Sequence, residues 1–242
     1  RMKLADHKAY LKNKNKVNIQ YMTHASSHFA EPLFKAFGKK LIFLSLLRSP
    51  LNIYILNHLS NWTDRWKKIK TRSSMITYYD HKYKENIPFL VKNISEYIKS
   101  NKYERAIIIL EKSLRFEKKV KSLSKKYNSC AIIIPYENLI RFPEKYLKVI
   151  SQKLDTKIDK IVLNNMKKNR LPRLFIEDAP KHVFKGFFNN KMPKKYSSFK
   201  TDDYNKYYET ASKFIKKKVR TKFFKRLIRL NDYYLKEILL NY

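Results

Sequence analysis

A chain of 242 residues with 43% hydrophobic content can bury a sizeable core, so disorder is excluded as its default state. Lys and Arg number 55 against 20 Asp and Glu, a formal charge of +35 that attracts polyanions, although abundant Lys, Asn, Ile and Tyr also fit a coding sequence biased toward A and T. Only two glycines occur, where average usage gives roughly seventeen, which excludes a glycine-rich phosphate cradle of the Walker or Rossmann type; the single cysteine, Cys130, excludes an intramolecular disulfide and a cysteine-based metal cluster.

Residues 1–16 are polar and basic with weak helical spacing. Residues 17–22 form an apolar run that leads into Thr23-His24, and 41–47 form a second that leads into Arg48-Ser49-Pro50. Runs of this length, bounded by turn signals, read as buried strands of a parallel sheet. Between them, 31–40 reads as a short helix ended by Gly38. Pro50 is expected in the first turn of a helix over about 51–61, where its missing N–H costs nothing. That helix carries Ile53, Leu56 and Ser60 on one face. Residues 62–86 lack clean periodicity and are expected to be loop plus helix in a substrate-facing insertion. Trp62 and Trp66, four apart, read as core.

From 88 to 110 the pattern predicts two helices with a turn at Ser100-Asn101, followed by a separate, highly basic helix over 111–127. Residues 130–134 are a third, β-branched strand stopped by Pro135, with Cys130 as a small core residue. Pro143 opens an amphipathic helix in which Tyr146, Leu147, Ile150 and Leu154 repeat at helical spacing. Residues 160–200 read as irregular, with prolines at 172, 180 and 193. The stretch 201–242 reads as one or two basic amphipathic helices. The expected organisation is an α/β domain over 1–200 with a basic helical tail, 201–242, packed on it. Strands alternating with helices through short links predict a three-layer α/β fold built on a parallel sheet.

In open α/β sheets ligands sit outside the carboxyl ends of the strands, which makes His24 and Arg48 candidate working residues. The remaining histidines, His28, His58, His81 and His182 among them, are given no role, and no metal site is read. Glu137 is most simply a structural carboxylate at a strand-to-helix corner.

The order of these pieces resembles the sulfotransferases that use 3′-phosphoadenosine 5′-phosphosulfate, PAPS. That family has a strand ending in Thr-His and a second ending in an Arg-x-Pro turn. A third runs into Tyr-Glu-Asp-Leu and a helix, and a basic Arg-Lys-Gly loop lies further on. Here the counterparts are Thr23-His24, LIFLSLLRSP ending on the Arg48 turn, CAIIIPYENLIRFPEKYLKVISQKLD with Tyr136-Glu137-Asn138-Leu139, and Phe184-Lys185-Gly186. The match covers roughly 17–62 and 128–200, and the Tyr-Glu segment is its most specific piece. It implies the P-loop-like three-layer fold of that family and transfer of a sulfonate from PAPS to a hydroxyl or amine of a carbohydrate or other small acceptor, leaving PAP.

The implied roles suit the residue types. His24 would be the general base, with an imidazole pKa near operating pH. Arg48, beside a helix N-terminus, would hold the 3′-phosphate of the donor. Tyr136 would touch the adenine, and Lys185 with the Gly186 backbone would close over the 3′-phosphate. The pattern also departs from the family. The serine usually found eight residues after the arginine is Leu56, with Asn57 or Ser60 as substitutes. Met22 replaces a lysine and Phe184 an arginine. The family's N-terminal phosphosulfate loop has no counterpart: either it precedes Arg1 or the protein has lost it and is inactive. No apolar run nears the roughly eighteen residues of a membrane span, so the expected location is cytoplasmic unless an anchor precedes Arg1.

A basic surface would steer an anionic glycan toward the site. The alternative reading is a non-catalytic basic α/β protein whose helical tail binds nucleic acid, acidic glycan or a membrane surface. Binding of that kind should fall steeply with salt. A glycosyltransferase or kinase-like enzyme is disfavoured by the two glycines.

Overall fold

A computed structural model describes residues 30–68, 77–172 and 204–240. The first stretch holds helix α1 (Ala30–Phe37), a 3-10 turn at Gly38–Lys40, strand β1 (Ile42–Leu47) and helix α2 (Ile53–Lys68). The second holds β2 (Thr77–Asp80), β3 (Glu85–Pro88), α3 (Ile94–Ile98), α4 (Lys102–Lys126), β4 (Cys130–Pro135), α5 (Tyr136–Arg141), α6 (Pro143–Lys153) and α7 (Lys160–Lys168). The last holds α8 (Tyr204–Lys216) and α9 (Thr221–Tyr234), which runs on into a π-helical turn at Leu235–Leu239. The fold is mixed α/β, mostly helical, with a small parallel sheet. Among the described residues that sheet has two strands, and the expected strand at 17–22 lies outside them.

The apolar runs 41–47 and 130–134 do pair in parallel, in a register that sets Ile42 opposite Cys130 and Leu47 opposite Pro135. A parallel pair needs a long crossover, and α2 through α4 supply it. Its consequence is that both strands end at the same edge, so Arg48 and Tyr136 leave the sheet side by side. Burial of β1 is one-sided, contrary to the expectation of fully buried strands, whereas the end of β4 is buried on both faces through Ile133 and Ile134. Phe43 and Ile133 are buried, while Leu44 and Leu46 are 44% and 50% exposed. Cys130, at the strand's start, is only half-buried. Gly38 does end α1, with a φ of 47° that L side chains rarely adopt.

Four local expectations are corrected by the structure. Pro50 lies in a turn closed by Asn52 N donating to Ser49 O at 3.0 Å, and α2 starts three residues later. Asn52 sets that start, its Oδ1 accepting from Ile55 N at 3.2 Å. The same helix continues through Trp62 and Trp66, whose rings meet edge-on at 5.6 Å, and Trp66 is buried in the core. Within 62–86 the structure therefore has the end of a helix and, from Thr77, an antiparallel hairpin. Its turn is an Asx turn: Asp80 Oδ1 accepts from Lys82 N and Tyr83 N at 3.0 and 3.1 Å, and Lys84 takes the positive φ.

The turn at Ser100-Asn101 is a capping box. Asn101 accepts from Tyr103 N and Glu104 N, and Glu104 accepts from Asn101 N. No second break follows; the basic stretch 111–127 continues the same 25-residue helix, α4. Residues 160–168, expected to be irregular, are helical because Asp159 caps them through Val162 N at 2.9 Å.

Two hydrophobic clusters make the core, and the C-terminal helices enter both. Phe223 and Leu227 of α9, with Tyr208, Ala211 and Ile215 of α8, pack with Leu56, Ile87, Tyr97 and Ile107. Tyr234 and Ile238 pack with Phe34, Phe43, Leu114 and Ile133. Among the described residues no helix is long and apolar enough to cross a membrane.

Buried charge is satisfied locally. Arg105, on α4, donates to Glu85 and to the carbonyls of Ser100 and Ile98, both at 3.0 Å, with Tyr97 stacked 4.6 Å from its guanidinium carbon. Glu85→Ala leaves that guanidinium buried without its carboxylate and should cost about 3–5 kcal/mol in urea unfolding. At the α9 end, burial works against ionisation of Glu104 and Glu96. Hydrogen bonds from Arg220 and Asn101 to the first, and from Lys222 and Arg226 to the second, nonetheless hold both below the usual carboxylate range. Their contribution to stability is present above the unfolded carboxylate pKa and is lost as pH falls through the depressed folded values. Urea stability should therefore drop on acidification, and Arg220→Ala should flatten that drop.

Candidate functional site

The site is built where the two parallel strands end. β1 delivers Arg48 and β4 delivers Tyr136, and the register places them as neighbours. The guanidinium carbon of Arg48 lies over the Tyr136 ring, 3.9 Å from its centroid. Contact that close is a cation–π stack, which holds a flat cation by its face. A guanidinium so held presents its N–H donors in the plane, the geometry that grips an oxyanion bidentately. Tyr136 is itself 7% exposed, so the ring serves Arg48 at least as much as it could serve a ligand.

Behind the stack lies a polar bridge. Glu137 is buried, and its Oε1 accepts from Ser49 N at 3.0 Å. Its Oε2 accepts from the hydroxyl of Tyr234 on α9, which also lies 3.4 Å from Leu47 O. Ser49 Oγ donates to Asn231 Oδ1 at 2.7 Å and accepts from Leu51 N at 3.2 Å. One residue further on, Asn138 Nδ2 donates to Leu239 O at 2.9 Å. The reading of Glu137 as a structural carboxylate fits this arrangement. Burial pushes its pKa up, opposed by the Tyr234 hydroxyl, the backbone N–H groups of Ser49 and Glu137, and the positive charge of Arg48.

Asn57 and Ser60 are placed differently from the stacked pair. Both are buried on α2, where Asn57 Oδ1 accepts from Tyr103 OH of α4 at 2.9 Å. Ser60 Oγ donates back to Asn57 O at 2.9 Å along its own helix. These contacts pack α2 against α4 and tie Ser60 to its own helix. His24, Lys185 and Gly186 lie outside the described residues, as do Thr23 and Phe184. Of the histidines without a role, His58 packs beside Trp62 at 5.1 Å and His81 beside Tyr79 at 5.1 Å. Among the described residues no group of His, Cys, Asp and Glu could hold a metal ion.

Sequence reasoning did not anticipate Asn231 and Tyr234. The available signal was a pair of polar atoms, three residues apart, on the otherwise apolar face of a helix that carries Leu227 and Ile238. No protein-family model, no curated protein and no solved structure matches the chain.

The bridge has a pH signature. The native state keeps a proton on Glu137 to higher pH than the unfolded chain does. Its contribution is therefore full below the ordinary carboxylate pKa and is lost as pH rises through the raised folded value. Glu137→Gln should lose less stability than wild type over that interval, measured by urea unfolding at a series of pH values from about 4 to 8. A wild-type advantage that grows with pH would overturn this direction.

Proposed function

We propose that the protein is a PAPS-dependent sulfotransferase acting on a hydroxyl or amine of a carbohydrate or other small acceptor. The observation that carries this reading is the Arg48–Tyr136 stack at the shared carboxyl end of a parallel strand pair, where α/β enzymes bind nucleotides. The two residues come from distant parts of the chain, and both belong to the motifs by which the sequence resembles that family. In the proposed reaction Arg48 binds the 3′-phosphate of PAPS, with Lys185 and the Gly186 backbone closing over it. His24 takes the proton of the acceptor hydroxyl as its oxygen attacks sulfur. The bond between sulfur and the 5′-phosphate oxygen breaks, and PAP leaves with the electron pair. A surface with an excess of cations favours an acceptor that is already anionic.

The test is titration with PAP at moderate salt. Saturable binding is expected, and Arg48→Ala should weaken it by about thirtyfold or more, the cost of removing one partner of a charged contact. The reading fails if wild-type protein binds no PAP, or if Arg48→Ala binds it equally well. Capture of duplex DNA or heparin that falls steeply with salt and ignores Arg48 would instead favour the non-catalytic polyanion-binding protein.

A further inference from the structure

We propose that Asn231 and Tyr234, on the last helix, are positioning residues that fix the Arg48 guanidinium for the 3′-phosphate of an adenosine nucleotide, acting through Ser49 and Glu137. The ligand in this statement rests on the sulfotransferase reading; the tether itself is read from the contacts alone.

Consider what holds Arg48. The residue after it, Ser49, is fully buried, and its amide and hydroxyl are both committed, to Glu137 at 3.0 Å and to Asn231 at 2.7 Å. The carbonyl of the residue before it, Leu47, lies 3.4 Å from the Tyr234 hydroxyl, which also donates to Glu137. The chain is therefore tied to α9 by a hydrogen bond after Arg48 and lies beside the same helix before it. Its stacking partner is held likewise, because Tyr136 is followed by Glu137, bonded to Tyr234, and by Asn138, bonded to Leu239 O at 2.9 Å. The two members of the stack thus share a single backing element, although 88 residues separate Ser49 from Glu137.

Apolar residues would have been enough to pack this face of α9, as Leu227 and Ile238 do on either side. Polar groups at Asn231 and Tyr234 add direction, since a hydrogen bond fixes the angle of the group it holds and dispersion does not. A short turn without such ties samples many conformations, and ordering it would be charged against ligand binding. Held as it is, the guanidinium meets an oxyanion already oriented.

The experiment combines amide hydrogen exchange at Ser49 and Leu51, PAP titration and urea unfolding on the full chain. The variants are Asn231→Ala, Tyr234→Phe, Glu137→Gln and Leu227→Ala. In Asn231→Ala and Tyr234→Phe, exchange at Ser49 and Leu51 should rise at least about tenfold while the α4 amides stay protected, and PAP should bind about tenfold more weakly. Glu137→Gln still offers an oxygen to Ser49 N–H and an N–H to Tyr234, so slow exchange at Ser49 and Leu51 should be retained. Leu227→Ala lowers global stability without touching the turn and should leave PAP affinity unchanged. The proposal is overturned if folded Asn231→Ala and Tyr234→Phe keep wild-type exchange and affinity. It is equally overturned if affinity simply follows global stability, with Leu227→Ala as impaired as they are. Wild-type protein that binds no PAP removes the sulfotransferase reading and the ligand assigned here; the exchange data then decide by themselves whether α9 holds the Arg48 turn.

Discussion

A carboxylate taken wholly out of water is costly unless donors replace its hydration, and Glu137 is placed where two remote parts of the chain can do so. Ser49 comes from the exit of β1, Glu137 from the exit of β4 and Tyr234 from the C-terminal helix. The contact of Ser49 with Glu137 needs the strands paired, and that of Tyr234 with Glu137 needs α9 docked. The acid therefore ties the order of the sheet, the direction of the Arg48 turn and the seat of the last helix to one another. Removing either donor would leave the charge partly unpaired, so this corner tolerates little independent movement of its parts.

The same economy governs the rest of α9. Acids are scarce in this chain, 20 against 55 cations, and several are spent on one interface. Glu104 and Glu111 are seven residues apart along α4, about two turns, so they share one face of that helix, and Glu117 follows about a third of a turn further round. Opposite them α9 and the residue before it present Arg220, Arg226 and Tyr233. Glu96 of α3 adds partners for Lys222 and Arg226 at 3.1 and 3.2 Å. Isolated exposed pairs contribute little, but here the carboxylates are largely buried and shared in a network. For so basic a chain this has a second effect: it neutralises cations where helices must approach and leaves the excess on outer faces.

What the sequence revealed, and what it concealed, follows from the range of the interactions involved. The strands at 41–47 and 130–134 and the corner before Tyr136 were readable because a short apolar run bounded by turn residues, the second one stopped by Pro135, is a local signal. The hairpin at 77–88 was not, because its turn uses Asp80 and a lysine in the left-handed region where glycine would have announced it. The single helix α4 looked like two because the basic residues of its second half mask an apolar face that is covered only when α9 docks. Pro50 misled through a sound rule applied one turn early: Asn52, not the proline, supplies the cap. Arg48 and Tyr136 were identifiable as members of motifs, but their stacking depends on strand register. Asn231 and Tyr234 lie 182 and 97 residues from their partners, beyond any local pattern.

The overall charge of the protein and the local chemistry of its Arg48 turn act at different distances. At physiological ionic strength the field of exposed lysines decays within about 8 Å, so it can speed the arrival of an anion but scarcely distinguish one from another. Discrimination requires donors in fixed directions at a partly desolvated place. Arg48 meets that requirement through its neighbours: the aromatic face beneath it sets the plane of the guanidinium, and the buried bridge behind it sets the backbone from which it projects. Glu137 also lies close enough for Arg48 to affect its ionisation, so an anion bound at Arg48 would oppose the charge that helps Glu137 ionise. Occupancy of the turn and protonation of the bridge are therefore linked through one arginine, and a more negative ligand there should keep the Glu137 proton to higher pH.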